Sequence, residues 1–401
     1  MMDKQERSRT ARALEVFRIV LLLGITSFGG PLAHIGFFRE AFVARRYWMS
    51  DAAYADLVAL CNLLPGPTSS QVGMAIGLQR AGPLGLLAAW AAFTLPSAIL
   101  LLAFAFGATA LTELTGDGWI AGLKAAAVAV VAQALIGMTR SLTPDWQRLT
   151  IATFAGVLAY TLGGAIGQVS AILFGAAASW FFLSPPAPTV EKAKQSVPVT
   201  HAIAVGCLIL FALLLVLLPL VAGLTQQGII QTTDRFYRAG ALVFGGGHVV
   251  LPLLQAELVG SGLVGRDSFL AGYGAAQAVP GPLFSFAAYL GALQNISPTG
   301  IPGAAVALAA IYLPSALLVM GALPFWAGLR QQRRIRQLLL GVNAAVVGLL
   351  AAAFYDPVLI SGVPTPAAAA FAVAAYVSLT VWKLPAWTVV LAAGFLGFIF
   401  L

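Results

Sequence analysis

Charge is what this 401-residue chain has least of: 9% of its residues are Asp, Glu, Lys or Arg, against about 25% in a soluble domain. So few charges cannot cover a water-facing surface. With 60% hydrophobic residues and a mean hydropathy of +0.92, the chain must have lipid as its main solvent. Cysteine is also scarce. Cys61 and Cys207 both sit inside apolar runs, which gives neither a loop disulfide framework nor a metal-ligand spacing. Three histidines complete the short inventory of reactive groups. There is no phosphate-binding P-loop, no His-Glu-x-x-His pair and no dinucleotide fingerprint. No cofactor, no metal and no catalytic site are expected.

The net charge of +8 does not indicate nucleic acid, because the positive residues form no basic domain. They fall in short clusters between apolar runs: Lys4, Arg7, Arg9 and Arg12; Arg140 and Arg148; Lys192 and Lys194; Arg330, Arg333, Arg334 and Arg336. Cytoplasmic loops of membrane proteins are charged in this way. The N-terminus is basic and then apolar, as a signal peptide is. No small-x-small site follows Leu23; Phe28-Gly29-Gly30-Pro31 follows instead, so the segment is read as retained.

About 20 apolar residues span a bilayer as a helix. Uninterrupted candidates run near 84–107, 119–139, 149–166, 168–184, 202–222, 301–323, 337–355, 364–381 and 385–401. Four other apolar stretches are broken: 13–46 at Phe28-Gly29-Gly30-Pro31, 52–80 at Pro65-Gly66-Pro67, 233–257 at Gly245-Gly246-Gly247, and 268–293 at Pro280-Gly281-Pro282. Residues 184–200, with four prolines beside Glu191, Lys192 and Lys194, read as a linker.

The chain repeats itself. Phe28-Gly29-Gly30 returns as Phe244-Gly245-Gly246 at an offset of 216, Pro65-Gly66-Pro67 as Pro280-Gly281-Pro282 at 215, and Leu95-Pro96-Ser97 as Leu313-Pro314-Ser315 at 218. Whether a broken stretch crosses once or folds back as a hairpin, each half makes an even number of crossings. The unpaired helix at 202–222 then starts the second half on the opposite side. The expected fold is an all-α polytopic membrane protein of two inverted-topology repeats with broken or re-entrant helices. Residues 1–184 form the first repeat, 185–224 the linker and connecting helix, and 225–401 the second repeat.

With a cytoplasmic N-terminus, the loops carrying Arg140/Arg148, Lys192/Lys194, Arg330–Arg336 and Lys383 fall inside, and those carrying Glu113/Asp117 and Asp356 fall outside. Arg39, Arg45 and Arg46 join the inside only if 13–46 is a hairpin with the Gly-Gly-Pro break at its tip. That form is preferred, and it places the C-terminus in the periplasm. Arg235 and Arg238 stand as exceptions.

Irregular backbone at membrane depth must be shielded by protein or line a polar cavity, so four repeat-related breaks imply one shared central site. Pro67 suits the entrance to a helix whose first free amides belong to Thr68, Ser69 and Ser70. Such an N-terminus carries about half a positive charge and unpaired N–H groups, which favour an anion. The predicted substrate-binding set is Gly29, Gly30, Pro31, His34, Asn62, Pro65, Gly66, Pro67, Thr68, Ser69, Ser70 and Gln71 in the first half. The second half adds Gly245, Gly246, Gly247, His248, Gln277, Pro280, Gly281, Pro282 and Ser285. At an offset of 215, Ser70 aligns with Ser285, while Thr68, Ser69 and Gln71 align with Leu283, Phe284 and Phe286. The first tip is therefore the more polar. His34 and His248 read equally well as ligand donors, proton carriers or structural histidines, and His201 as structural. Glu15 at i−3 suggests a pair with Arg18 that snorkels to the interface, and Lys124 reads likewise. The Gly73-to-Gly77 spacing reads as helix packing.

The segments Phe28-Gly29-Gly30-Pro31-Leu32-Ala33-His34-Ile35-Gly36 and Asn62-Leu63-Leu64-Pro65-Gly66-Pro67 closely resemble the chromate ion transporter family. So do Phe244-Gly245-Gly246-Gly247 and Gln277-Ala278-Val279-Pro280-Gly281-Pro282. The likeness covers nearly the whole chain, in the long two-domain form. Ala41 departs from it, standing where an acidic residue is expected. The resemblance implies a secondary transporter in the inner membrane of bacteria that exports chromate and confers resistance. Its partners would be chromate, with sulfate as a competitor, and the lipid bilayer; homo-oligomerisation is left open. A carrier of sulfate or another small oxyanion is the nearest alternative. An intramembrane enzyme using His34 or His248 with a buried carboxylate is the alternative of another class.

Overall fold

A computed structural model describes residues 8–184, 199–244, 247–329 and 332–401. Gly245 and Gly246 of the predicted site, Lys192 and Lys194 of the linker, Arg330 at the start of its basic cluster, and Lys4 and Arg7 lie outside the described residues. Every regular element among the described residues is helical.

The first half runs α1 (Arg9–Thr26), α2 (Gly30–Arg39, continued by a π-turn to Ala44), α3 (Asp51–Leu63), α4 (Thr68–Ala81), α5 (Pro83–Thr115), α6 (Gly118–Leu142), α7 (Trp146–Leu162) and α8 (Gly164–Phe182). A connecting helix, α9 (His201–Thr225), follows. The second half runs α10 (Gly228–Ala241), α11 (Val250–Leu254, inside the helical run Gly247–Val259), α12 (Arg266–Ala278), α13 (Phe286–Leu293) and α14 (Gly300–Ala322). It ends with the single turn α15 (Trp326–Leu329), α16 (Arg333–Ala353), α17 (Ile360–Gly362), α18 (Pro366–Thr380) and α19 (Ala386–Phe400). Residues equivalent by the offset fall on equivalent helices throughout.

Among the described residues, five helices are long and apolar enough to cross a membrane: Pro83–Leu114, Gly118–Leu142, His201–Thr225, Gly300–Phe325 and Arg333–Gly362. At 1.5 Å per residue, a 25-residue helix such as α6 is about 37 Å long, enough for a hydrocarbon core of about 30 Å. The spans expected at 149–166 and 168–184 begin a few residues earlier. Asp145 caps α7 by accepting from the Arg148 amide at 2.9 Å, and α7 ends at Gly163, whose φ is +63°.

Each broken pair folds back on itself. Arg80, at the end of α4, bridges to Glu15 near the start of α1 at 3.0 Å, and its guanidinium lies 4.6 Å from the ring centre of Trp48, just after α2. The start of α1, the turn after α2 and the end of α4 therefore share one end, and both breaks are at the far tips. Glu15 thus belongs to Arg80 rather than to the expected Arg18 pair. The second half is built alike: the Asn295 amide donates to Leu263 O at 3.1 Å, and Gln294 donates to Thr232 at 2.8 Å. Lys124 is not simply snorkelling, since its Nζ pairs with Asp267 at 2.7 Å.

The long helices cross between halves. Gly362, at the end of the α16–α17 run, sits against Lys124 O and Val128 near the start of α6, so α6 and α16, which are repeat-equivalent, run antiparallel. Close approach needs small residues, as membrane helices commonly use. Gly156 and Gly175 of the first half meet Gly348 and Gly341 of α16, and Gly118 of α6 meets Gly397 of α19. Within each half, Gly77 meets Gly85 and Gly291 meets Gly303, which is the packing role expected for Gly77.

Candidate functional site

The four breaks meet in the middle of the protein. Backbone bonds there cross between halves in a reciprocal pair: the Gly66 amide donates to Val243 O at 2.7 Å, and the Gly281 amide donates to Ser27 O at 3.0 Å. Each donor is the glycine of a Pro-Gly-Pro, and each acceptor lies just before a Phe-Gly-Gly. Gly247 packs against Pro31 and Leu283, which joins the remaining tips. Each Pro-Gly-Pro glycine also faces the serine of the other half's Leu-Pro-Ser, Gly66 against Ser315 Oγ and Gly281 against Ser97 Oγ.

A cavity of 670 Å³ leads to this junction. At its inner end are Gly29 and Gly30, at the N-terminus of α2, with His248 and Gln277; its mouth carries Arg140 and Lys383. Among the described residues Gln277 Nε2 is buried without a protein partner, and an unpaired donor of this kind is costly unless something occupies the space beside it. His248 Nδ1 lies 2.9 Å from the Tyr273 hydroxyl. No carboxylate is among the described lining residues. Helix-end dipole, amide donor and two cations all favour a negative occupant.

Comparison with known proteins agrees with this chemistry. The chromate transporter family matches the chain twice, over residues 14–180 and again over 230–398.

The chain belongs to the chromate transporter family.

Its relatives include a probable chromate transport protein of Synechococcus elongatus, 28% identical over 83% of this chain and 81% of the relative. Chromate transport proteins of Cupriavidus metallidurans and Pseudomonas aeruginosa are 26% and 25% identical, covering 83% and 96% of this chain and 79% and 92% of their own. No solved structure matches. Each of the two family matches spans one set of equivalent helices, so the repeat is a property of the family's own sequence pattern.

The predicted residues divide into two groups in space. Gly29, Gly30, His248 and Gln277 line the cavity. Pro31, Pro65, Gly66, Pro67, Gly247, Pro280, Gly281 and Pro282 form or abut the junction behind it. Thr68, Ser69, Ser70 and Gln71 open α4, capped by Pro67 as expected, and all four are buried. Gln71 turns back on its own break, donating to Pro65 O at 2.6 Å. Ser285 donates to Pro282 O at 2.6 Å. Asn62 lies in the last turn of α3 and does not line the cavity. His34 is buried, donating from Nε2 to Ser27 O at 3.2 Å while Nδ1 faces Ser69 Oγ at 3.3 Å. Both of its nitrogens face neutral groups, and the contact with Ser27 O ties it to the first break. His201 packs edge-on against Phe325.

Sequence reasoning did not single out Arg140 and Lys383 as lining residues, nor the hydroxyls of Thr94, Ser97, Tyr312 and Ser315. Ser70, Thr94 and Tyr312 are buried, with the first two hydroxyls beside the Tyr312 hydroxyl. The recurrence of Leu-Pro-Ser was the available signal, since it placed Ser97 and Ser315 at equivalent points of α5 and α14.

Proposed function

We propose that this protein is a secondary transporter that exports chromate from the bacterial cytoplasm through the break-centred cavity, and so confers chromate resistance. The observation that carries the reading is the cavity itself. It runs from the Arg140 and Lys383 mouth to the glycine tip of α2 and Gln277, with no carboxylate among its described lining. Chromate is a tetrahedral dianion, and neutral donors at a helix N-terminus suit a partly desolvated oxyanion. Outward movement of a dianion is favoured by about 4.6 kcal/mol per 100 mV in a negative-inside cell.

The reading includes an inverted repeat, with units at 1–184, 185–224 and 225–401, in the inner membrane. The antiparallel course of α6 and α16 and the reciprocal bonds at the breaks support it. With the N-terminus cytoplasmic, the cavity mouth faces the cytoplasm, since Arg140 and Lys383 lie in basic connections at that end. Reporters fused after Gln332 should read cytoplasmic, and those after Asp117 and at the C-terminus periplasmic. A cytoplasmic C-terminus beside a cytoplasmic N-terminus would end the inverted-repeat reading.

The direct test is labelled chromate flux in proteoliposomes, with sulfate as competitor. Gln277→Leu removes a donor to a charged ligand, worth about 1.5–3 kcal/mol. It should therefore weaken chromate binding about 10- to 100-fold in a protein that still inserts. Absence of chromate flux in the wild type, or flux of sulfate alone, would overturn chromate as substrate.

A further inference from the structure

The cavity has a counterpart. A smaller one, of 180 Å³, lies between α7, the Gly247–Val259 run and the end of α16. The two linings correspond at the single offset of 216: Gln133 with Leu349, Gly137 with Ala353, Arg140 with Asp356, and Tyr160 with Tyr376. Because α6 and α16 run antiparallel, the mouth residues Arg140 and Asp356, each near the C-terminal end of its helical run, belong to opposite faces of the protein.

Charge does not follow the repeat. The larger cavity carries two cations, and among the described residues neither Arg140 nor Lys383 makes an ion pair. At the equivalent of Arg140 the smaller cavity carries Asp356, held by Arg266 at 3.0 Å. The equivalent of Lys383 is Gly167. One mouth therefore bears +2 and the other a neutralised pair.

We propose that Arg140 and Lys383 form a capture site for divalent tetrahedral oxyanions, and that the Asp356 mouth lacks one, so the protein binds its anion more tightly from the Arg140 face. This rests on the oxyanion-transport reading above. Two cations facing one dianion give a long-range attraction that concentrates the ligand at the mouth and is screened within about 10 Å at 0.1 M salt. The asymmetry cannot drive net flux. Without a potential, the ratio of maximal rate to KM must be the same from both faces, so tighter binding at one face accompanies slower turnover from it.

The test is zero-trans chromate flux from each face, in proteoliposomes sorted by orientation and held at zero potential. At about 10 mM salt, where screening extends only beyond about 30 Å, KM from the Arg140 face should be roughly tenfold below KM from the Asp356 face. Raising the salt to about 300 mM should erase most of that difference, because screening then acts within a few ångströms. The double variant Arg140→Gln, Lys383→Gln should bring the two KM values within about twofold at low salt, the range expected once the long-range attraction is gone. The salt series on the wild type tests the same point should the double variant fail to insert. Equal KM values from both faces in the wild type, or a difference that survives high salt or the double substitution, would overturn the capture site while leaving transport intact. Absence of oxyanion flux altogether would overturn the transport reading and this inference with it.

Discussion

Gly66→Val is expected to abolish chromate transport and to lower the stability of the protein, whereas Gly30→Val is expected to abolish transport with a much smaller loss of stability. The two glycines are both at breaks but differ in what surrounds them. Gly66 has φ +126°, and a Cβ there would run into Ser315 Oγ and Gln71 Nε2. Its amide makes the 2.7 Å bond to Val243 O that ties the halves together. Side chains at positive φ cost about 1–3 kcal/mol, and overpacking adds about 1–3 kcal/mol. The expected sum, about 2–6 kcal/mol, falls on the junction itself. Gly30 has φ +77°, but among the described residues no heavy atom beyond its own stretch of chain lies within 4 Å of its would-be Cβ, and Gly30 lines the cavity. A branched side chain there carries the backbone strain alone and would fill the space proposed for the anion. Thermal denaturation in detergent and chromate flux, measured on both variants, separate the two effects. Normal transport by both correctly inserted variants would remove the breaks from the transport path.

The reason these breaks could be found without coordinates is that they violate a strong rule. Gly and Pro at membrane depth leave backbone groups unpaired, and the same violations recurring at offsets of 215 and 216 point to one shared purpose. The reciprocal Gly66–Val243 and Gly281–Ser27 bonds supply the physical content: each half completes the other's broken backbone. The arginine cluster Arg39, Arg45 and Arg46 marked the 13–46 stretch as a hairpin, and the Arg80–Glu15 pair with Trp48 closes it. The cavity was less legible, because its mouth is assembled from residues 243 positions apart that count locally only as basic loop residues. Periodicity and composition say nothing about which two loops become neighbours; the packing of α18 and α19 on α6 decides it. The α4 tip holds a further feature that sequence spacing does not reveal: Gln71 donates to Pro65 O, a local bond back onto its own break.

Arg235 and Arg238 were the exceptions to the charge pattern, and their surroundings explain them. Arg238 forms a two-pronged bond with Asp234, at 3.0 and 2.8 Å, and reaches Glu257 at 3.0 Å; the two carboxylate side chains are only 6% and 9% exposed. Arg235 donates to Glu257 O and to Ser261. These arginines neutralise buried acids and fasten α10 to the π-turn Gln255–Val259 that follows α11, so the positive-inside rule does not apply to them. Arg238→Met should then be the most destabilising single substitution outside the breaks. It leaves two carboxylates close together with their shared counter-charge gone, and breaking a buried pair in this way costs about 3–5 kcal/mol. The lower end is expected, because an adjoining cavity of 300 Å³ lined by Asp234, Arg238 and Glu257 can admit water. Arg238→Lys should recover only part of the loss, since an ammonium cannot hold both carboxylates in the planar forked geometry. Adding Glu257→Gln to Arg238→Met removes one of the stranded charges and should restore stability relative to Arg238→Met alone. Denaturation midpoints of the four proteins decide the matter. A midpoint for Arg238→Met equal to that of the wild type, or no gain from Glu257→Gln in its background, would mean that the buried charges do not hold this hairpin together.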